Sequence, residues 1–253
     1  MKTWVKEAGP PAALLVGVGL VWEAAVRQWE IPAYILPGPG LIFQVMWRRL
    51  DLLAGHALVT LAEMLLGLSL AVAAGFILAL LIQASRTLER TLMPLVIASQ
   101  TIPVFAIAPL LILWFGYGLG SKVVMAAIIV FFPIVINTVD GLRAADPDVL
   151  TLMKILEASP WQTLVKVRLP AALPFVFSGL KIAVSVSVIG AVIGEWVGAR
   201  SGLGFLMIQA NAQLQVALVF GAIFWLSVMG LGLYLIVAAL ERLAVPWRHG
   251  QVQ

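Results

Sequence analysis

Apolar positions along this chain come in long blocks with very few charges inside them. Segments 92–116 and 216–240 hold no charged residue. Segment 122–139 has only Lys122 at its edge, 57–83 only Glu63, 169–194 only Lys181, and 8–26 only Glu23 near its end. A helix needs about 20 apolar residues to cross the hydrocarbon core of a bilayer. The blocks therefore predict six transmembrane helices, at about 8–26, 57–83, 92–116, 122–139, 169–194 and 216–240, forming a single all-α integral membrane domain over residues 1–253. The first block, behind Lys2 and Lys6, also has the outline of a signal peptide, but it runs past the usual apolar length and lacks a clean small-x-small cleavage site. The uncharged stretch 31–46 is not a seventh span, because Pro32, Pro37, Gly38, Pro39 and Gly40 interrupt it. It reads as an irregular loop followed by a short helix at about 41–50, with Trp22, Trp29 and Trp47 placed as interfacial anchors would be.

Composition removes the competing classes. The chain is 62% hydrophobic and 11% charged, against about 45–50% and about 25% in a soluble domain, and its mean hydropathy is +1.06. A water-soluble enzyme, a disordered chain and a fibre are excluded; the solvent is lipid. There is no cysteine, hence no disulfide, thiolate metal site or cysteine nucleophile. His56 and His249 are isolated and make no metal site. The net charge of +4 comes from basic residues scattered between spans, which act as orientation signals and do not form a nucleic-acid surface. With the N-terminus inside, the cytoplasmic segments carry Lys2, Lys6, Arg86, Arg90, Arg143, Lys154, Lys166, Arg168, Arg242 and Arg248, and the outer ones only Arg27, Arg48, Arg49, Lys122 and Arg200. That asymmetry puts both termini and the loop 140–168 in the cytoplasm.

The loop is the most informative stretch. Asp146-Pro147 reads as an N-cap followed by proline at the first helical position. Ser159-Pro160-Trp161-Gln162 repeats the signal and adds a capping box between Ser159 and Gln162. Two short helices are expected, about 147–157 and 160–168, with a tight corner between them, and Leu169-Pro170 ending the second before the next span. From these residues alone, the capped amphipathic corner either docks into a groove of a partner protein or lies on lipid headgroups.

In this region the chain resembles the membrane-spanning permeases of bacterial binding-protein-dependent ABC importers, within the branch that handles nitrate, taurine and alkanesulfonates. The family pattern is Glu-Ala-Ala, three residues, Gly, nine residues, Ile-x-Leu-Pro. Here Val167-Arg168-Leu169-Pro170 keeps the distal part, Glu157 stands at the glycine, and Thr151-Leu152-Met153 stands at the Glu-Ala-Ala. Further matches follow in order: Gln100-Thr101-Ile102-Pro103, Ala108-Pro109-Leu110, Trp114-Phe115-Gly116-Tyr117-Gly118, Phe131-Phe132-Pro133-Ile134, Asn137-Thr138, Gly194-Glu195 and Ser201-Gly202-Leu203-Gly204. The resemblance implies a type I ABC importer permease fold and a cell inner membrane location. It also implies docking of ATPase subunits through Asp148, Leu152, Leu156, Glu157, Ala158, Ser159, Trp161, Leu164, Leu169 and Pro170. Glycine at 157 would accept a left-handed corner that glutamate disfavours, so either the corner moves to Ala158-Ser159 or Glu157 bears the strain.

The chain has no nucleotide site of its own. Gly116-Tyr117-Gly118-Leu119-Gly120-Ser121-Lys122 mimics a phosphate loop only superficially. The family implies two ATPase subunits that bind ATP and Mg, an extracytoplasmic binding protein and, with one six-span permease sequence, a homodimer. This chain then binds no cofactor and catalyses no reaction. Candidate pathway or gate residues are Pro103, Pro109, Trp114, Asn137, Glu195, Trp196, Gln209 and Asn211; prolines within spans free backbone groups that a cavity or a neighbour must satisfy. Gly190, Gly194 and Gly198 form a small-x-x-x-small ladder for close helix packing. Glu63, Lys181 and Glu195 should each face protein or water.

Two other classes compete: a proton-coupled secondary transporter carrying its proton on Glu63 or Glu195, and a non-transporting assembly subunit. Around 190–198 and 207–213 the sequence looks most like permeases for a pyrimidine precursor of thiamine, with riboflavin, sulfonate, taurine and nitrate as alternatives. Glu63 stands where nitrate and sulfonate permeases tend to carry arginine, which fits a neutral heteroaromatic ligand. The charge asymmetry predicts that reporter tags at both termini read as cytoplasmic; periplasmic labelling of an N-terminal tag would overturn the six-span topology.

Overall fold

A computed structural model describes residues 2–247; the side chains of Lys2 and Lys6, and residues Arg248 and His249, lie outside the described residues. Eleven α-helices are present among them: α1 (Lys2–Gln28), α2 (Pro39–Arg48), α3 (Leu50–Ala84), α4 (Arg86–Ser99), α5 (Val104–Phe115), α6 (Leu119–Arg143), α7 (Pro147–Ile155), α8 (Pro160–Thr163), α9 (Leu169–Gly198), α10 (Leu203–Ala212) and α11 (Val216–Ala244). The short helix expected at about 41–50 is α2. It begins at Pro39, where the missing N–H costs nothing at a first helical position.

Among the described residues, α3, α6, α11 and the continuous helix Pro160–Gly198 are long and apolar enough to cross a membrane, and the bent pair α4–α5 brings the number to five if it is counted as one span. A count of six needs α1 as well, helical over 27 residues with Leu14, Leu15, Val18 and Leu20 exposed.

Two expectations are corrected. The third span, 92–116, is not one helix: α4 and α5 meet at a bend of 100°. Pro103 has no N–H to continue the ladder and drives Ile102 out of the helical region. Hydroxyls take up part of the accounting, with Ser99 Oγ donating to Val96 O and Thr101 Oγ1 to Ala98 O, both at 2.7 Å. Pro94, Pro109 and Pro133 stay inside their helices. Second, Leu169-Pro170 does not end the helix after Ser159. The chain widens into a π turn over Leu164–Arg168 and runs on as α9. The wide turn lies just before Pro170, where an α-ladder would lack a donor.

α6 lies between α3 and α9, with α11 against α9. Apolar side chains gain nothing by leaving lipid for another helix, so close packing of small residues holds the spans together. α3 buries Gly67, Ala71, Gly75 and Ala79 at every fourth position. α9 buries Ala172, Gly179, Ala183, Ser187, Gly190 and Gly194. A Cβ on Gly67 would lie 2.6 Å from Ala126 Cβ, and one on Gly190 3.0 Å from Ala126 Cα, so both neighbours close on the same residue of α6. The 190/194/198 ladder is thus an intraprotomer contact, Gly194 facing Lys122 and Gly198 facing Ile112 and Tyr117. At one end of the bundle Ile42, Met46, Leu53, Leu203, Leu206, Leu218 and Ala222 join α2, α3, α10 and α11 in one apolar cluster; α7 and α8 stand at the other end.

A Cβ on Gly141 would meet Phe175 Cβ at 2.7 Å and Ala172 Cα at 2.9 Å, whereas Gly232 has nothing within 4 Å. Gly141→Ala is expected to lower stability by about 1–3 kcal/mol through overpacking, read as a lower unfolding midpoint in detergent, with Gly232→Ala at or above the parent.

Candidate functional site

The corner after α6 is built from local caps. Asp146 Oδ1 accepts the Asp148 N–H at 2.8 Å, with Pro147 at the first helical position of α7. Glu157 N–H donates to Lys154 O and Ala158 N–H to Met153 O, each at 3.0 Å. This is a Schellman closure with Glu157 in the left-handed region at φ 52°. Glutamate therefore occupies the glycine's conformation, at a cost of about 1–2 kcal/mol; the corner does not move to Ala158. The capping box is complete: Ser159 N–H donates to Gln162 Oε1 at 2.8 Å and Gln162 N–H to Ser159 Oγ at 3.2 Å. Arg168 donates to Leu142 O at 3.1 Å, and Arg143 pairs with Glu89 at 2.6 Å, tying the corner to the ends of α6 and α4.

Leu152, Leu156 and Trp161 are exposed, Trp161 by 70%. Asp148, Glu157 and Ser159 are also at the surface, while Ala158, Leu164, Leu169 and Pro170 are half-buried. A cleft of about 560 Å³ opens beneath the corner, walled by Leu80 and Gln83 of α3 and by Lys154, Trp161, Leu164 and Arg168. The surface is largely apolar and open, and both of its helices start at hydrogen-bonded caps.

The pathway candidates lie on α5, α6, α9 and α10, and at the N-cap of α5. Pro103, Pro109, Trp114, Trp196, Gln209 and Asn211 are exposed. Asn137 donates its amide to Pro133 O at 2.8 Å and packs against Gly179. Gln209 lines a pocket of about 180 Å³ with Arg49, His56, Gln213 and Gln215.

Glu195 is 1% exposed and has a different role from its neighbours on that list. Its Oε1 accepts the Thr60 hydroxyl at 2.6 Å, and its Oε2 accepts the N–H groups of Gly204 and of Phe205, the latter at 3.3 Å. Beside it, Glu63 is fully buried and pairs with Lys122 at 3.0 Å. Both Glu63 oxygens lack an aligned hydrogen-bond donor, so the contact is an ion pair. Lys181 pairs with Glu241 of α11. Each lone charge of the apolar blocks thus meets an opposite charge or a helix N-terminus inside the protomer. With Glu63 consumed by Lys122, its place offers no argument about ligand charge. Thr60, His56, Lys122 and Glu241 were not among the expected site residues. Lys122, isolated at a span edge, was the available signal, since a lone charge at membrane depth needs a partner.

The sequence profile of the family described as "Binding-protein-dependent transport system inner membrane component" matches residues 71–246. The chain belongs to this family. The permease is 50% identical to a probable ABC transporter permease of Haemophilus influenzae, over 87% of this chain and 91% of that one. It is 42% identical to the riboflavin transport system permease of Chloroflexus aurantiacus, over 94% and 90%. It is 37% identical to the formylaminopyrimidine transport permease of Halalkalibacterium halodurans, over 97% and 98%. Its fold is that of the inward-facing MetNI methionine ABC transporter, with a TM-score of 0.63 at 22% identity, covering 78% of this chain and 97% of that chain. The permease is accordingly a multi-pass inner-membrane transport subunit of an ABC importer and not an enzyme.

Removing one partner of an enclosed ion pair leaves the other unpaired, at about 3–5 kcal/mol. Lys122→Met is expected to lower the unfolding midpoint accordingly, and the double variant Lys122→Met/Glu63→Leu to recover most of the loss; a neutral single variant would contradict the pairing.

Proposed function

We propose that the permease moves a nitrogen heteroaromatic solute, a pyrimidine precursor of thiamine, from an extracytoplasmic binding protein into the cytoplasm. The observation that carries this is the end-to-end similarity to the formylaminopyrimidine permease. The riboflavin permease, more similar in identity, gives the second reading; both named solutes contain a nitrogen heterocycle.

The working unit is a homodimer with two ATPase subunits that bind ATP and Mg, in a six-span topology that includes α1 and leaves both termini cytoplasmic. The ATPases dock on the α7–α8 corner. Three features support that docking: the exposed apolar residues Leu152, Leu156 and Trp161, the capping box that fixes their directions, and the continuous helix Pro160–Gly198 that starts there. At about 1.5 Å per residue this helix carries a displacement at Trp161 to the opposite end of the bundle. Alternating access then follows if docking differs between ATP-bound and ATP-free states.

The test uses the permease with its cognate ATPase and binding protein in lipid nanodiscs. Binding protein loaded with formylaminopyrimidine is expected to stimulate ATP hydrolysis several-fold, and Trp161→Asp to abolish both that stimulation and ATPase co-purification while the permease still inserts. Stimulation by riboflavin alone would transfer the substrate assignment to the flavin; unchanged co-purification of Trp161→Asp would sink the docking assignment.

A further inference from the structure

The short apolar helix α10 has an N-terminus with no cap of its own. Its N-cap is Gly202, which has no side chain, yet its first four backbone donors all have partners from other helices. Gly202 N–H donates to His56 Nδ1 at 3.0 Å, Leu203 N–H to Thr60 Oγ1 at 2.8 Å, and Gly204 and Phe205 N–H to Glu195 Oε2. Thr60 has one proton and gives it to Glu195 at 2.6 Å, so donor and acceptor roles are both filled. His56 and Thr60 stand one turn apart on α3, while Glu195 comes from α9. Gly202, at φ 113°, and Gly204 lie so close to the Glu195 carboxylate that a Cβ at either would collide with it. The other end of α10 needs no outside help: Gln215 N–H closes on Ala210 O at 2.8 Å around Leu214, at φ 57°. The rest of its attachment is apolar, through Leu203, Leu206 and Ala210.

α10 is therefore fastened by three polar side chains at one end and by non-directional packing along its length. Such a fastening has two discrete arrangements, made or broken, because four amide donors must find either these acceptors or water. We propose that Glu195, Thr60 and His56 form a latch that holds α10 against α3 and α9, and that Glu195 is a positioning residue whose release accompanies opening of this end of the permease. The second half rests on the permease function proposed above; the first does not.

The chain has no cysteine, so a single Ala210→Cys, at a position 2% exposed, reports undocking by its rate of modification with a membrane-impermeant maleimide. Glu195→Gln and Thr60→Val are expected to raise that rate about tenfold, equivalent to about 1.4 kcal/mol. Thr60→Ser, which keeps the hydroxyl, should restore the slow rate. Gly141→Ala at the far end serves as the control for general loosening and should leave it unchanged. Should Glu195→Gln not fold, the Thr60→Val and Thr60→Ser pair carries the test. An unchanged rate in the latch variants, or an equal rise in Gly141→Ala, overturns the latch. In the complex with ATPase and binding protein, ATP should speed modification of Ala210→Cys. Stimulated hydrolysis with a static α10 overturns the role in opening, whereas absence of any stimulated hydrolysis counts against the permease reading and leaves the latch standing.

Discussion

Backbone amides at a helix start must find acceptors, and this constraint organises the permease more than any single contact. Both short helices flanking the spans, α2 and α10, begin at a glycine that offers no side-chain cap. Each is capped instead by a glutamate from the end of a long helix. Glu23 accepts the Gly40 N–H at 3.0 Å while pairing with Arg27, and Glu195 accepts from Gly204 and Phe205. In each case a negative charge faces the positive end of a helix, and glycine gives it room to approach. These two carboxylates cap backbone donors of neighbouring helices.

The same accounting explains where the spans are rigid and where they bend. α3, α6 and α9 pack through small residues, which brings their backbones close together. Charges do not loosen this unit, because Glu63 is closed against Lys122 and Lys181 against Glu241. The irregularities fall at its margins: the bend between α4 and α5 at Pro103 and the π turn before Pro170. The latter preserves one continuous helix from the corner to the polar cluster.

At the corner itself, chemistry is local and function is not. Asp146, Ser159 and Gln162 direct α7 and α8 through hydrogen bonds spanning two or three residues. Glu157 accepts a left-handed conformation because the Schellman bonds on either side over-determine it. The docking proposed for the corner would place Trp161, Leu152 and Leu156, all exposed, against a partner surface.

Charge-poor blocks specified the lipid environment and the four long apolar helices, and the dipeptides Asp146-Pro147 and Ser159-Pro160 specified both helix starts in the loop. These are matters of composition and of bonds between near neighbours, so the order of residues suffices to decide them. The broken third span and the unbroken helix through Pro170 were misread, because a proline states only that a donor is missing, and its surroundings determine whether the chain bends, widens or continues. Glu63 and Lys122, or Thr60 and Glu195, lie far apart in the chain, and their meeting depends on the register at which α3, α6 and α9 interlock. That register follows from which small residues face which neighbour, a property of three helices together; only the tertiary structure could bring Glu195 to the N-terminus of α10.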